Sequence, residues 1–371
     1  MKKIIKFNDL SKEYLLIKKK LDKKIQQIIN DNEFIKGEHV QIFEEKFRDY
    51  LNLKYVVGVA NGTDALLIAI EALSNKYETS GEILVQPTTF FSSASMIPKT
   101  NNKVRFLDVD ENTWQISLNE VENILDNKTV GIIGVHLYGN LFDVENISNF
   151  SKSNNVWLIE DCAQSHGAEL NSRRAGSFGD LSTFSFYPAK NLGAFGDGGA
   201  IGSVHMELEE LVIKLANGGR ISKYSHEILG WNSRLDTIHA AVIYEKLLYL
   251  EQWNKSRKKI AQIYYNRLAS NEKILVPSLV EGSSPVHHLF PIVVPDRDTM
   301  ANKLKDLGIG SGFHYPIPLH LQPAFSYLGH KEGDFPISEK ICFNEISIPI
   351  NQFMSEEDAH YVCDAIEKIL N

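Results

Sequence analysis

The stretches Val130-Gly131-Ile132-Ile133-Gly134-Val135 and Val156-Trp157-Leu158-Ile159 decide the fold class. Both are apolar throughout and have the length of a buried strand. Comparable runs precede them at residues 55–59, 83–85 and 104–107, and helical segments such as 65–73 separate the runs. Strands that are apolar on both faces alternate with helices in α/β folds, so the pattern predicts a mostly parallel sheet. Ligands of such sheets bind beyond the carboxyl ends of the strands.

Helical periodicity extends this core in both directions along the chain. Apolar residues at steps of three and four predict helices over 10–28 and 40–50, and a long helix over about 235–269 is expected to end the large domain. Further on, we predict a strand at 289–294, a helix at 298–307 and a last helix opened by Ser355 with capping-box spacing. The sequence therefore predicts a large domain over residues 1–245 and a smaller C-terminal α/β domain over 246–371.

Composition excludes several classes of protein. The chain of 371 residues has 43% hydrophobic and 23% charged residues, and its net charge of −8 gives no support to binding of nucleic acid or an anionic membrane. The three cysteines lack the CxxC spacing of a zinc or redox site, as expected of a protein in the reducing cytoplasm. No apolar run approaches the ~18 residues of a membrane span. Asn8 and Asp9 interrupt the apolar N-terminal stretch, so we expect no export signal.

Two polar segments follow predicted strands. Asn61-Gly62-Thr63-Asp64 places a small turn at the start of a helix, where free N–H groups bind anions, although an ordinary helix cap has the same pattern. Glu160-Asp161 ends the strand at 156–159, and two adjacent buried carboxylates are costly unless one has a cationic partner. The protonated ring nitrogen of a cofactor would be such a partner.

A third segment contains a candidate nucleophile. Lys190 follows the alternating aromatic stretch Phe184-Ser185-Phe186-Tyr187 and precedes a run of glycines that allows close approach of other groups. A lysine enclosed in this way loses proton affinity and can form a Schiff base. A surface lysine that extends its ammonium into solvent is the alternative reading of this residue alone.

Together these segments resemble the DegT/DnrJ/EryC1/StrS family of sugar aminotransferases, which are pyridoxal 5'-phosphate (PLP) enzymes of fold type I. The resemblance runs from about Phe34 to the C-terminus and includes residues 61–66, 87–90, 160–167, 176–199, 232–236 and 314–325. It implies a fold like that of aspartate aminotransferase and a cytoplasmic homodimer. It also implies a role in making deoxyamino sugars for lipopolysaccharide or another glycan.

The resemblance implies a role for each matching residue. Lys190 matches the lysine that forms the Schiff base, Asp161 the carboxylate on the pyridinium nitrogen and Gln164 the side chain near the phenolic oxygen. The phosphate is implied to contact Gly62, Thr63, Ser185 and, from the neighbouring subunit, Asn232, while Phe90 lies on the ring. A carboxylate that keeps the ring nitrogen protonated lets the ring accept electron density, and the freed lysine can transfer the proton.

For substrates, the resemblance implies a nucleotide-linked keto-deoxysugar, with dTDP as the expected nucleotide and glutamate as amino donor. Residues 314–325 resemble the members that aminate carbon 3, and the sugar-side residues are matched by Tyr187, His314 and Tyr315. A polar loop with Arg220, Lys223, Tyr224 and His226 would suit the pyrophosphate, and a solvated subunit edge is its alternative. The expected reaction converts dTDP-3-keto-6-deoxyhexose into dTDP-3-amino-3,6-dideoxyhexose. Amination of a 4-keto sugar is the alternative within the family.

Other functions fit less well. An NAD-dependent oxidoreductase would show GxGxxG after the first strand, and this pattern does not occur there. A metalloenzyme would show HExxH or a third ligand near its histidines. Neither pattern occurs, so no metal is expected. Resembling dehydratases carry histidine where this chain has Lys190. A regulatory dimer that binds nucleotide sugar without catalysis remains an alternative, since a fold does not fix a function.

Overall fold

The computed structural model describes residues 3–371 and contains an α/β fold. Within that range, each predicted helix and strand except the helix over 235–269 is present, most within one to four residues of the expected bounds. The helices are α1 Leu10–Asp31, α2 Glu38–Leu51, α3 Gly62–Tyr77, α4 Phe91–Ser95, α5 Leu118–Ile124, α6 Val144–Ser153, α7 Glu209–Ala216, α8 Thr237–Leu247, α9 Leu250–Leu268, α10 Arg297–Asp306, α11 Pro336–Asn344 and α12 Glu356–Leu370.

A seven-stranded sheet forms the centre of the molecule. The strands of the whole fold are β1 Tyr55–Val59, β2 Glu82–Val85, β3 Lys103–Phe106, β4 Thr129–Val135, β5 Trp157–Asp161, β6 Glu169–Leu170, β7 Arg173–Arg174, β8 Leu181–Ser185, β9 Gly199–Ser203, β10 Ser283–Ser284, β11 Phe290–Val293 and β12 Glu345–Ile348. The sheet has the order β1-β9-β8-β5-β4-β2-β3, and β9 alone runs antiparallel to its neighbours. The carboxyl ends of β4, β5 and β8 therefore lie side by side, which confirms the mostly parallel sheet.

Two large hydrophobic clusters hold the fold together. The larger surrounds the central sheet and includes the fully buried Phe43, Phe47 and Phe184. The smaller joins the second half of α9 to α10, α12 and the antiparallel pair of β11 and β12. Ile5 belongs to this smaller cluster, so the N-terminal segment packs beside the C-terminal part of the chain. The division at residues 245 and 246 stays a prediction.

The predicted helix over 235–269 is interrupted and was wrong as a single element. α8 ends at Leu247 and α9 begins at Leu250, although no glycine or proline marks the break. The two helices pack against different partners, since α8 contacts α1 and α2 while α9 contacts α12. Tertiary packing therefore breaks the helix between α8 and α9, although the residues at the break have the propensity to continue it.

The last helix begins as predicted. Ser355 Oγ accepts a hydrogen bond from the Asp358 N–H at 3.1 Å, and the Asp358 carboxylate accepts one from the Ser355 N–H at 3.2 Å. This reciprocal pair is a capping box, which satisfies two N–H groups that the helix itself leaves free. None of the helices in residues 3–371 combines the length and apolar character needed to cross a bilayer.

Candidate active site

A cavity of about 550 Å³ opens at the carboxyl ends of the central strands. Ten of the thirteen site residues predicted from the sequence line it, which places the chemistry where parallel sheets bind ligands. They are Gly62, Thr63, Phe90, Asp161, Gln164, Ser185, Tyr187, Lys190, His314 and Tyr315. We refer to this cavity as the pocket.

Asp161 is the last residue of β5 and is held on both carboxylate oxygens. Ser93 Oγ donates to Oδ2 at 2.8 Å, and the Ala163 N–H donates to Oδ1 at 3.1 Å. Burial raises the pKa of Asp161, while these hydrogen bonds and the positive charge of Lys190 act in the opposite direction. The carboxylate is thus fixed in the pocket, where a cationic ring nitrogen could pair with it.

Lys190 lies in the turn that follows β8. Its backbone N–H donates to the Tyr187 carbonyl at 2.8 Å, and the side chain of the next residue, Asn191, bonds the Val286 carbonyl at 3.2 Å. Burial lowers the pKa of Lys190 to about 8, although attraction by Asp161 opposes the change. A lysine with this pKa supplies a useful fraction of neutral amine near pH 8, as a nucleophile or a proton acceptor requires.

Gln164 connects the two walls of the pocket. Its Oε1 accepts the Tyr138 N–H at 2.6 Å, and its Nε2 donates to the Tyr315 hydroxyl at 3.2 Å. These two contacts fix which end of the amide is the donor. The same Tyr138 donates its hydroxyl to the His314 carbonyl at 2.8 Å, so His314 and Tyr315 are both connected to Gln164 through hydrogen bonds.

The start of α3 forms one end of the pocket. Asn61 caps the helix through Asp64 and Ala65, which leaves the N–H groups of Gly62 and Thr63 free. A Cβ atom at Gly62 would lie 2.7 Å from the Ser185 Cβ, so only glycine allows the helix to approach that hydroxyl so closely. Two free amides, the helix dipole and a serine hydroxyl together suit a phosphate group. The helix cap and the anion site predicted as alternatives are both present here as geometry.

Aromatic side chains form the mouth of the pocket. Phe90 and Tyr187 are 52% and 55% exposed, which is high for large apolar rings and leaves their faces available to a ligand. The Phe90 ring lies 5.7 Å from that of Tyr315 at a tilt of 49°. Burial lowers the pKa of His314 to about 4, with repulsion from Lys190 adding to the effect, so its imidazole is neutral at physiological pH.

Glu160, beside Asp161, faces away from the pocket and has its own partners. His136 Nε2 lies 3.0 Å from Oε2, and the N–H groups of Gly176, Phe178 and Gly179 donate at 2.6 to 2.7 Å. Burial alone would raise the pKa of Glu160, but His136 and the backbone amides lower it overall. The two adjacent carboxylates therefore have separate partners: Glu160 binds His136 and backbone amides, and Asp161 binds Ser93 and Ala163. Cys162 also lies near this pair, yet both Glu160 oxygens are already engaged.

Three predicted site residues lie outside the pocket of the single chain. Asn232 is exposed and pairs with Asn217 in an isolated bridge, while Arg220 pairs with His226 at the base of an exposed loop. Tyr224, in that loop, is 84% exposed. Their contribution to a site stays a prediction that depends on a second subunit.

The structure adds residues that the sequence did not reveal. Ser93 holds Asp161, and His288 lines the pocket while its Nδ1 pairs with Asn191 Oδ1 at 3.0 Å. A signal existed for Ser93, because it lies in the serine-rich stretch directly after the predicted Phe90. His288 follows no strand of the central sheet, so its position depends on the packing of distant segments.

Comparison with known proteins agrees with this geometry. The model of the DegT/DnrJ/EryC1/StrS aminotransferase family matches residues 16–367. A protein of Aneurinibacillus thermoaerophilus named dTDP-3-amino-3,6-dideoxy-alpha-D-galactopyranose transaminase is 38% identical over 98% of this chain and 99% of its own length. A "pleiotropic regulatory protein" of Geobacillus stearothermophilus is 37% identical over 96% of both chains. The crystal structure of S. venezuelae DesV in complex with a ketimine intermediate superposes with a TM-score of 0.95 at 32% identity, covering 99% of each chain.

Proposed function

Because the chain belongs to the DegT/DnrJ/EryC1/StrS aminotransferase family, we propose that it transfers an amino group from glutamate to a nucleotide-linked keto-deoxysugar. The proposed substrate is dTDP-3-keto-6-deoxyhexose, and the product is dTDP-3-amino-3,6-dideoxyhexose. Amination at carbon 3 is supported by the name of the Aneurinibacillus relative at 38% identity.

The pocket fits PLP, the cofactor of this family. The free amides of Gly62 and Thr63 with the Ser185 hydroxyl would hold the phosphate, and the fixed Asp161 carboxylate would pair with the ring nitrogen. Gln164 and Lys190 line the same cavity. When bound, the cofactor supplies an electron sink that stabilises negative charge on the carbon being deprotonated.

The observation that carries the proposal is the pairing of a lysine of lowered pKa with a fixed carboxylate in one pocket. Lys190 Nζ can bind the cofactor covalently and, once displaced by the amino donor, can take up and deliver a proton there. Asp161 would keep a positive charge on the ring nitrogen, because its negative charge is held in position by Ser93 and Ala163. The phosphate contacts at Gly62 would retain the cofactor while Lys190 is free.

The sugar side of the pocket determines which carbon receives nitrogen. His314 and Tyr315, with Tyr187 at the mouth, line the pocket beside Lys190. Hydrogen-bonding groups in fixed positions are needed here, since the pyrophosphate alone would let the sugar rotate. We assign the orientation of the 3-ketone to these residues.

A homodimer completes the proposed site. Asn232 does not line the pocket of its own chain, and the loop before it exposes Ile221, Tyr224 and Leu229 to 59%, 84% and 95%. Exposed apolar side chains in one loop are typical of a surface that contacts another protein. We propose that this loop and Asn232 contact the pyrophosphate and phosphate in the pocket of the neighbouring subunit, with Arg220 as the cationic group.

The test is to incubate the purified protein with PLP, glutamate and a panel of dTDP- and UDP-linked keto sugars. The expected product carries nitrogen on carbon 3 of a dTDP-linked 6-deoxyhexose, as located by NMR. Nitrogen on carbon 4 would overturn the regiochemistry and leave the aminotransferase assignment intact. Lack of any amino sugar across the panel would contradict the proposed function.

One second candidate is favoured by the name of the Geobacillus relative, which is called a regulatory protein. A regulator that only binds its ligand would not need a reactive lysine. Addition of glutamate to the PLP-loaded protein separates the two functions. An aminotransferase bleaches the visible absorption band of the cofactor, and a binding protein leaves the band unchanged.

A further inference from the structure

We propose that Glu345 and Ser347, which lie behind the sugar side of the pocket, fix His314 as a hydrogen-bond acceptor for a hydroxyl of the substrate. Both are fully buried in β12, and neither lines the pocket. They are therefore positioning residues that act through His314. The inference rests on the proposed function, because the sugar supplies the hydroxyl.

The three residues form a closed ring of hydrogen bonds. Glu345 Oε2 accepts the backbone N–H of His314 at 2.7 Å, and Glu345 Oε1 accepts the hydroxyl of Ser347. The Ser347 Oγ lies 2.9 Å from Nδ1 of the His314 ring. The carboxylate thus reaches both the backbone and, through the serine, the ring of the same histidine.

The position of the hydrogens follows from what each group can donate. Above the pKa of about 7 to which burial raises Glu345, its carboxylate is ionised and has no hydrogen, so both Glu345 contacts require a donor on the other side. Ser347 has one hydroxyl hydrogen, which it gives to Glu345, and its oxygen can therefore only accept from Nδ1. Since the His314 ring is neutral, a hydrogen on Nδ1 leaves Nε2 bare.

The direction of Nε2 is also fixed. The Phe7 ring stacks on the His314 ring with centroids 5.7 Å apart and an interplanar angle of 10°. Near the imidazole, a Cβ atom at Gly312 would lie 2.9 Å from Cε1, so a larger residue there would displace the ring. Nε2 is not enclosed and has no hydrogen-bond partner among residues 3–371. It is available to a ligand in the pocket that His314 lines.

A bare ring nitrogen in this position selects a class of substrate. It accepts from a hydroxyl, and a site built to bond a hydroxyl strongly disfavours an analogue that lacks it. If the hydrogen moved to Nε2, the same ring would present a donor, and a hydroxyl would have to turn its own hydrogen elsewhere. We therefore assign to this pocket a keto sugar with a free hydroxyl within reach of His314 Nε2.

Glu345→Gln reverses the pattern while keeping the size of the side chain. The amide oxygen of the glutamine can still accept the His314 N–H, but its NH₂ group must then donate to the Ser347 hydroxyl. Ser347 in turn donates its own hydrogen to Nδ1 of His314. The hydrogen of the neutral His314 ring is then on Nε2. We expect the rate constant of the sugar half-reaction to fall about 10- to 100-fold, with the glutamate half-reaction changed less than about twofold. Ser347→Ala, which removes the link without changing the charge, should give a smaller loss in the same half-reaction.

Glu339→Gln is the matched control. Glu339 is also buried and accepts from His320 Nε2 at 3.0 Å and from the Gly333 N–H, but it lies outside the pocket. This variant should leave the ratio of the two half-reaction rates unchanged even if it lowers stability. Equal slowing of both half-reactions in Glu345→Gln would show a merely structural role and overturn the proposal.

NMR gives a readout that is independent of activity. Protein labelled with ¹⁵N in the histidine rings is studied at pH 8, above the pKa of about 7 to which burial raises Glu345. The His314 signals are identified by their loss in His314→Gln. The wild type should carry its hydrogen on Nδ1 and Glu345→Gln on Nε2, and a wild-type hydrogen on Nε2 would overturn the proposal. If the hydrogen is on Nδ1 but no keto sugar is aminated, the proposed function fails and the assigned hydrogen position stands.

Discussion

Replacement of Lys190 by methionine should stabilise the cofactor-free protein. Burial lowers the pKa of Lys190 from its ordinary value of 10.5 to about 8, which means that the folded protein disfavours the ammonium form. Each pKa unit corresponds to about 1.4 kcal/mol, so the buried charge costs the folded state about 3 kcal/mol when it is fully protonated. Solvent reaches the side chain from the pocket mouth, and with this screening we expect a gain of about 2 kcal/mol in Lys190→Met.

The sign of the pH dependence follows from the same shift. Below pH 8 the lysine is charged in both the folded and the unfolded chain, so the full cost is present and the methionine variant has its full advantage. As the pH rises from 8 toward 10.5, the folded protein releases the proton first and the wild type recovers stability. The difference between the two proteins should therefore shrink over this interval.

Urea denaturation of both cofactor-free proteins, followed by fluorescence at pH 7 and at pH 10, measures this difference. Lys152→Met is the control, because Lys152 is an exposed lysine near the end of α6 and its replacement should change stability by less than about 0.5 kcal/mol. A Lys190→Met protein that is less stable than the wild type at pH 7, or a difference that stays constant with pH, would refute the reasoning. Activity should be abolished in this variant at either pH.

Three further predictions concern catalysis and assembly. Lys190→Arg should keep the fold but lose turnover, and borohydride should no longer attach the cofactor to the protein; attachment at another lysine in the wild type would refute the assignment. Gly62→Ala should weaken cofactor binding at least about 10-fold in a spectroscopic titration, since the new Cβ would lie 2.7 Å from the Ser185 Cβ; unchanged affinity would exclude the phosphate role. Mixing inactive Lys190→Ala and Asn232→Ala chains should restore activity in hybrid dimers, whereas a fully active monomer would contradict the shared site.

The central sheet could be predicted because its signal is local. The run from Val130 to Val135 is apolar throughout. A run of this length and composition indicates a buried strand without any knowledge of distant residues. The Glu160-Asp161 pair and Lys190 were noticed by the same logic, since each follows a predicted strand and the carboxyl ends of parallel strands share one edge. Local pattern therefore predicted the sheet and the place of these side chains, while the role of each came from the family resemblance.

Elements that depend on distant contacts were missed. β9, at Gly199–Ser203, contains two glycines and has low strand propensity, and it forms because β1 and β8 pair with it on both sides. β12 has only four residues and pairs with β11, more than fifty residues earlier in the chain. Glu345 and Ser347 lie on β12, so their relation to His314 could not be read before that pairing was known.

The stacking of Phe7 on His314 has a consequence for the order of folding during synthesis. Ile5 forms its strand-like bridge with Ile309, and Phe7 meets His314, each about 300 residues later in the chain. At a synthesis rate of about 5–20 residues per second, the segment with Ile5 and Phe7 waits roughly 15 to 60 seconds for these partners. The central sheet has all of its strands long before that moment. The wall formed by His314 is therefore the last part of the pocket to be assembled.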